Sequence, residues 1–122
     1  MGKYTTLEQV KIRLKQFHIE QDENGKDVVI FDKPEENPII EQLIEQAKKD
    51  VIAKRNYPNN YTKDMIESDV NSYENVIVNL TVYDHSQAGE EFMSSYSENG
   101  ISRKWKDRES LFVGVFPFVT SI

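Results

Sequence analysis

A broad apolar stripe between residues 39 and 52 constrains the fold more than any other feature of the sequence. Its members recur at spacings of three and four, which is the period of one face of an α-helix. They are Ile39, Ile40, Leu43, Ile44, Ala47, Val51 and Ile52. Asn37 is a good N-cap, Pro38 suits the first helical position, and Tyr57-Pro58-Asn59-Asn60 is expected to end the helix. A helix with so wide an apolar face must pack against others, so we expect a mainly α fold.

Two further helices are expected to complete a small bundle. Thr6 and Gln9 have the spacing of a capping box, and an apolar stripe follows, so the first helix is predicted at residues 6–17. The third is predicted at roughly 63–87, where we let the helical period outweigh a local preference for strand. The predicted core contains Leu7, Val10, Leu14, Ile40, Leu43, Ile44, Ala47, Val51, Tyr73, Ile77 and Leu80.

The segment between the first two helices, residues 18–37, fits two interpretations. Asn24-Gly25 suits a tight two-residue turn because both positions tolerate positive φ, and Ile19-Glu20-Gln21 and Val28-Val29-Ile30 would be the strands of that hairpin. The same segment is rich in acidic side chains, so a flexible acidic loop is an equal alternative. Its acidic residues include Asp22, Glu23, Asp27, Asp32, Glu35 and Glu36.

The last third of the chain predicts a β-hairpin followed by an extended arm. Asn99-Gly100 lies between polar and aromatic stretches, which indicates a projecting hairpin over about 93–106. The C-terminal arm, about 111–122, is the most apolar part, and Pro117 excludes a helix or a central strand. We expect neither segment to bury its apolar side chains locally, so both should contact a partner. The predicted interface residues are Tyr96, Ile101, Arg103, Trp105, Phe116, Phe118 and Val119.

Residue types argue against most kinds of catalytic or metal site. The chain has no cysteine, which excludes disulfides, thiolate ligands and a cysteine nucleophile. His18 and His85 are its two histidines, and neither has partners at the spacing of a catalytic triad or zinc site. Asp64, Glu67 and Asp69 resemble a carboxylate cluster, but acidic residues commonly occupy the first turns of a helix. We therefore expect no catalytic residue, no metal and no cofactor.

Charge and hydropathy limit the expected partners. The net charge of −6 repels a phosphate backbone. The one dense basic stretch, Arg103 to Arg108, surrounds Trp105, and we interpret it as a protein contact rather than a nucleic-acid site. The sequence has neither a run of about 18 apolar residues for a membrane span nor the apolar stretch of a signal peptide. We expect one domain over residues 1–122, with no membrane contact, that stays where it is made.

Several stretches occur in an order that is familiar from one protein family. They are Leu7-Glu8-Gln9-Val10-Lys11, the segment Glu74 to Leu80, the segment Tyr96 to Arg103, and Phe116-Pro117-Phe118-Val119. With the long second helix between them, they resemble the head–tail connector proteins of long-tailed bacteriophages, also called head-completion or adaptor proteins. The Ser-Glu-Asn-Gly-Ile-Ser-Arg stretch and the Pro-x-Val ending are the most characteristic parts. The resemblance covers nearly the whole chain.

The resemblance implies a helical body at about 6–88 that carries the hairpin and the arm. Copies of the chain are then expected to form a ring, dodecameric in the family, beneath the portal protein. Such a ring extends the DNA channel and gives a docking surface to the next head-completion or tail protein, while DNA only passes through. Family members have no catalytic activity and no cofactor. The expected location is the head–tail junction of the virion, after synthesis in the bacterial host cytoplasm.

Two alternatives come from other functional classes. The first is a small helical DNA-binding or regulatory protein that uses the basic hairpin. Such a protein normally has a basic helix face near its hairpin, whereas the predicted third helix is mostly acidic. The predicted third helix has one basic residue, Lys63, and five acidic residues, Asp64, Glu67, Asp69, Glu74 and Asp84. The second alternative is a hydrolase that uses Asp or Glu, which would need an enclosed pocket lined by carboxylates.

Overall fold

Helices and one β-hairpin make up most of the structure. The computed structural model describes residues 4–88 and 108–118. In chain order its elements are α1 (Thr6–Arg13), β1 (Phe17–Gln21), β2 (Asp27–Phe31), α2 (Asn37–Arg55), α3 (Lys63–Asn71) and α4 (Glu74–Ala88). The predicted fold class, a small helical bundle with a hairpin, is therefore confirmed. None of the helices in the described ranges is both long and apolar enough to cross a membrane.

The start of α1 is capped one residue earlier than predicted. The Thr5 hydroxyl accepts a hydrogen bond from the Glu8 N–H at 3.1 Å, and the Glu8 carboxylate accepts one from the Thr5 N–H at 3.0 Å. This is a capping box in the register of Thr5 and Glu8 rather than Thr6 and Gln9. The side chains of Thr6 and Gln9 instead donate to the Glu74 carboxylate at 2.8 and 3.0 Å, which ties α1 to the start of α4.

These contacts make the contribution of Glu74 to stability dependent on pH. Hydrogen bonds from Gln9 and then Thr6 lower the pKa of Glu74, against the opposing effect of burial. A carboxyl whose pKa is lowered by folding stabilises the fold above its ordinary pKa, and this contribution is lost as the pH falls through the lowered value. Glu74→Gln should therefore lower the free energy of unfolding near neutral pH.

Urea unfolding at a series of pH values measures this effect. The difference between wild type and Glu74→Gln should shrink as the pH falls through the carboxyl range. The exposed neighbour Asn75 provides a control, because Asn75→Gln changes the same turn of α4 without removing a carboxylate. A stability loss for Glu74→Gln that is the same at every pH would contradict the assignment.

α1 ends at Arg13, four residues before its predicted end at residue 17. The Gln16 N–H donates to the Lys11 carbonyl, and Lys15 adopts a left-handed conformation with φ of 61°. This turn leads the chain directly into β1, so Phe17 belongs to the hairpin and not to the helix. The predicted helix was too long because Leu14 and Phe17 keep the spacing of a helical apolar face, although both lie beyond the end of α1.

Residues 17–31 form a hairpin, which decides between the two interpretations of this segment. β1 and β2 pair antiparallel, with Phe17 opposite Phe31 and Gln21 opposite Asp27. The Gly25 N–H donates to the Asp22 carbonyl, and Gly25 has φ of 77°. The connection is thus a three-residue loop with glycine in the left-handed position, not the predicted two-residue turn.

The beginning of α2 uses Asn37 differently from the prediction. A 3₁₀ turn over Pro34–Glu36 precedes the helix, and no side chain caps it. The Asn37 Oδ1 instead accepts a hydrogen bond at 2.6 Å from the ammonium group of Lys11, which also donates to the Lys33 carbonyl at 3.1 Å. Lys11 is only 2% exposed. Its ammonium group therefore fastens α1 to the chain entering α2, on both sides of the hairpin.

The helix predicted at 63–87 is divided into α3 and α4. The Ser72 hydroxyl donates to the Asp69 carbonyl at 2.6 Å, and the Tyr73 N–H bonds the Val70 carbonyl three residues back. Side-chain hydrogen bonds of this kind compete with the backbone hydrogen bonds of a helix. As a result α3 ends at Asn71, and a separate helix, α4, begins at Glu74. The prediction that this region is helical is confirmed, but the prediction of one uninterrupted helix is wrong.

The core lies where α2 packs against α4 and α1. Its buried apolar residues are Val10, Ile40, Ile44, Ala47, Val51, Val70, Val76, Ile77, Val78, Leu80 and Val115. The predicted core residues Leu7, Leu14 and Tyr73 are partly buried against this cluster. Leu43 is the exception, because it is half-buried and outside the cluster. The stripe on α2 is therefore narrower than predicted.

Candidate protein-interaction site

The predicted interface residues are divided between the described and the undescribed parts of the chain. Phe116 and Phe118 lie in the arm segment, residues 108–118, which the structure describes. The predicted hairpin at 93–106 lies outside the described residues, as do its interface residues and Val119. The arm segment packs against α2 and α4, and the contacts that hold it define which of its side chains face solvent.

The first anchor of the arm segment is Arg108. Its guanidinium binds both carboxylate oxygens of Asp84 on α4 at 2.8 and 2.9 Å, and the Asp50 carboxylate on α2 at 2.7 Å. Hydrogen bonds to Asp84 and then Asp50 raise the pKa of Arg108 against the effect of burial. Next to it, Glu109 forms an ion pair with Lys54. Two charge-assisted contacts thus fix the start of the segment to the bundle.

The second anchor is Arg55, the last residue of α2. Its guanidinium binds both oxygens of the Asp69 carboxylate at 2.8 and 3.2 Å, and it donates to the Phe116 carbonyl at 2.6 Å. The Phe118 N–H donates to the Arg55 carbonyl at 2.7 Å. The Tyr57 hydroxyl also donates to Asp69, at 2.6 Å. Burial alone would raise the pKa of Asp69, but the hydrogen bonds from Arg55 and Tyr57 lower it.

Aromatic contacts reinforce this second anchor. The phenyl ring of Phe118 lies 4.1 Å from the Arg55 guanidinium, in a cation–π arrangement, and packs against Tyr57 and Tyr61. Further along the arm segment, Val115 is buried in the core. The prediction that the arm buries none of its apolar side chains locally is therefore wrong for Val115 and Phe118, and also for Leu111 and Phe112, which are partly buried against the core. Arg55 and two tyrosines provide a surface for Phe118 that sequence spacing does not reveal.

Two apolar side chains of the arm segment remain in solvent. Val113 is 76% exposed and Phe116 is 69% exposed. No other large apolar residue in the described ranges is more exposed than these two. Gly114, with φ of 78°, lies between Val113 and the buried Val115 in a turn, which the Val115 N–H closes by donating to the Phe112 carbonyl. We call Val113 and Phe116 the arm surface. Because Arg55 holds the backbone of Phe116, this surface presents apolar groups in a fixed position.

No protein-family model, curated protein or solved structure matches the chain.

The candidate catalytic side chains do not converge on the arm surface. His18 bonds Glu20 and Asp32 in the hairpin, whereas His85 on α4 bonds Glu36 before α2. Within the described ranges, no three histidine, aspartate or glutamate side chains come together as a metal site. In the predicted carboxylate cluster, Asp69 is engaged by Arg55, while Asp64 and Glu67 are exposed.

Sequence reasoning missed the residues that position the arm surface. The sequence gives no sign that Arg55 binds the arm, and it groups Arg108 only with the basic stretch around Trp105. Val113 was not singled out within its apolar run. The available signal was Gly114, because a glycine inside an apolar run marks a place where the chain turns and its side chains change sides.

Proposed function

We propose that the protein is a structural subunit of a bacteriophage head–tail connector. In this proposal, copies form a dodecameric ring beneath the portal protein, extend the DNA channel and provide a docking surface for the next head-completion or tail protein. The observation that carries the proposal is the arm surface, where two apolar side chains are exposed on an anchored segment. Exposed apolar groups are stabilised when a partner removes them from water. The sequence resemblance supplies the identity of the partners.

The anchoring of the arm segment supports a role in stable association. Binding loses affinity when a flexible segment must be ordered, and this cost is smaller for a segment that is already held. Arg108 and Arg55 hold the segment on either side of Val113, and the buried Val115 holds it in between. A neighbouring subunit or the portal protein would therefore meet a preformed contact.

Charge also supports a channel protein over the DNA-binding alternative. The net charge of −6 favours passage of DNA without adhesion. Of the basic stretch around Trp105, the structure describes Arg108, and its guanidinium is engaged by the carboxylates of Asp84 and Asp50. That cation is therefore neutralised within the chain.

Replacing both residues of the arm surface by serine tests the proposal. Val113→Ser/Phe116→Ser should leave the urea unfolding midpoint nearly unchanged, because both side chains are exposed in the free protein. The variant should fail to form rings with purified portal protein in electron micrographs. In an infection complementation assay it should yield DNA-filled heads without tails.

The control is Ile39→Ser/Met65→Ser, which removes two exposed apolar side chains elsewhere, on α2 and α3. This control should assemble and complement like the wild type. Normal complementation by the arm-surface variant would contradict the proposal. Tight, sequence-selective binding of the wild type to duplex DNA at physiological salt would instead favour the DNA-binding alternative.

A further inference from the structure

The outer edge of β1 is the most open part of the hairpin. Residues 18–21 of β1 are all exposed, and Ile19 is 50% exposed, whereas Val29, Ile30 and Phe31 of β2 are half-buried. No residue of either strand belongs to the core cluster, and in the described ranges the sheet contains only these two strands. A strand edge with an exposed apolar side chain favours pairing with another strand.

The hydrogen-bond pattern shows which backbone groups of β1 are available. The Asp22 N–H donates to the Lys26 carbonyl at one end of the hairpin, and the Asp32 N–H donates to the Gln16 carbonyl at the other. Hydrogen-bonded pairs alternate along an antiparallel ladder, so the even-numbered residues of β1 face β2. The N–H and C=O groups of Phe17, Ile19 and Gln21 consequently point outward.

These outward groups are complementary to a second copy of themselves. If two β1 strands pair antiparallel about a two-fold axis at Ile19, Ile19 lies opposite the partner's Ile19 and Phe17 lies opposite the partner's Gln21. All three residues then occupy hydrogen-bonded positions of the new ladder. The exposed Ile19 side chains cover each other, and the whole length of the strand is paired.

Charge selects this register over its neighbours. Centred on Ile19, the pairing places His18 opposite the partner's Glu20 on both sides of the axis. Moving the axis to position 18 or 20 would instead oppose two histidines or two glutamates, and like charges directly opposite destabilise a sheet. Both ring nitrogens of His18 contact carboxylates, Glu20 at 2.6 Å and Asp32 at 2.7 Å, and these hydrogen bonds favour the charged ring and raise the pKa of His18. A neutral imidazole has only one N–H to donate.

The ends of the hairpin are complementary in the same register. Antiparallel pairing sends the two acidic loops in opposite directions, so they do not meet. It also brings the exposed Glu23 of one loop near the partner's Lys15, which is exposed at the base of the hairpin. Residues of opposite charge therefore lie close together at the ends as well as at the centre of the interface.

We propose that two copies of this chain associate through β1, which forms a four-stranded antiparallel sheet in the order β2–β1–β1–β2. Because a two-fold contact uses the same surface on both copies, it joins subunits in pairs and does not by itself build a ring. The contact is separate from the arm surface, and it does not rest on the proposed connector function.

Sedimentation velocity of the full chain over a range of concentrations tests this pairing. The wild type should show a reversible monomer–dimer equilibrium. Glu20→Lys turns two attractive cross-strand pairs into repulsive ones and should weaken dimerisation about tenfold. Ile19→Pro should also abolish dimerisation while preserving the hairpin, because the N–H it removes points away from β2.

Glu41→Lys is the matched control, since it reverses the charge of an exposed glutamate on α2. It should dimerise like the wild type, and circular dichroism should show the same helical content for every variant. The proposal is overturned if the wild type stays monomeric at concentrations of about 1 mM, where even weak interfaces associate. It is also overturned if Glu20→Lys or Ile19→Pro dimerises normally, or if the arm-surface variant abolishes the dimer instead.

Discussion

Replacement of Leu80 by alanine should lower the free energy of unfolding by about 3–4 kcal/mol. Leu80 lies on α4 in the centre of the core and is 0% exposed. The substitution removes buried apolar surface and leaves a cavity, and close-packed neighbours relax only partly into such a space. Chemical denaturation with urea measures the change directly.

Leu43→Ala is the matched control, because it deletes the same atoms on α2. The sequence pattern assigned Leu43 and Leu80 to the core alike, whereas the structure leaves Leu43 half-buried and outside the core cluster. We expect a loss of only about 1 kcal/mol for Leu43→Ala, in proportion to the smaller apolar area removed from water. Equal losses for both substitutions would mean that the packing of α2 against α4 has been wrongly assigned.

Arg55→Ala should cost about 2–4 kcal/mol of stability and release the end of the arm segment. Without the guanidinium, the Asp69 carboxylate loses its charged partner in a largely enclosed position. The Phe116 carbonyl loses its donor, and Phe118 loses the cation beneath its phenyl ring. Urea unfolding measures the stability, and NMR hydrogen exchange of the Phe118 amide reports separately on the release of the arm segment.

Arg13→Ala provides the comparison for Arg55→Ala. Arg13 is exposed and makes a hydrogen bond to Asn79, so its removal should change stability by less than about 0.5 kcal/mol. Arg55→Lys should fall between these extremes, because an ammonium group retains the charge but not the two parallel hydrogen bonds. If the Phe118 amide stays equally protected in Arg55→Ala, then Arg55 does not anchor the arm segment.

The sequence predicted where helices occur but neither their ends nor the break between α3 and α4, and α1 shows why. Thr5 and Thr6 stand side by side, as do Glu8 and Gln9, so two capping boxes fit the same letters. The choice between them depends on Glu74, which binds Thr6 and Gln9 and leaves the other pair to cap the helix. Glu74 is far away in the sequence, so no local pattern contains this information.

The candidate site was predicted only in part, for a similar reason. The apolar character of the arm is evident from the sequence, and the structure leaves Phe116 exposed, whereas its contact with a partner stays a prediction. The partial burial of Phe118 depends on Arg55 and Tyr57, which are distant from it in the sequence and contact it only in the folded chain. Spacing along a sequence describes one helix face or strand, whereas this anchor is built from residues of separate elements.

The contacts of Lys11 make the hairpin a module that is closed at its base. The chain leaves the body after α1 and returns at Lys33, and the Lys11 ammonium joins these two points through Lys33 and Asn37. The entropy of closing a loop grows only slowly with its length, so a longer or shorter hairpin would alter the stability of the body little. The length of the hairpin can therefore change in evolution or by design without changes to the helical bundle. Each added strand residue extends the hairpin by about 3.4 Å.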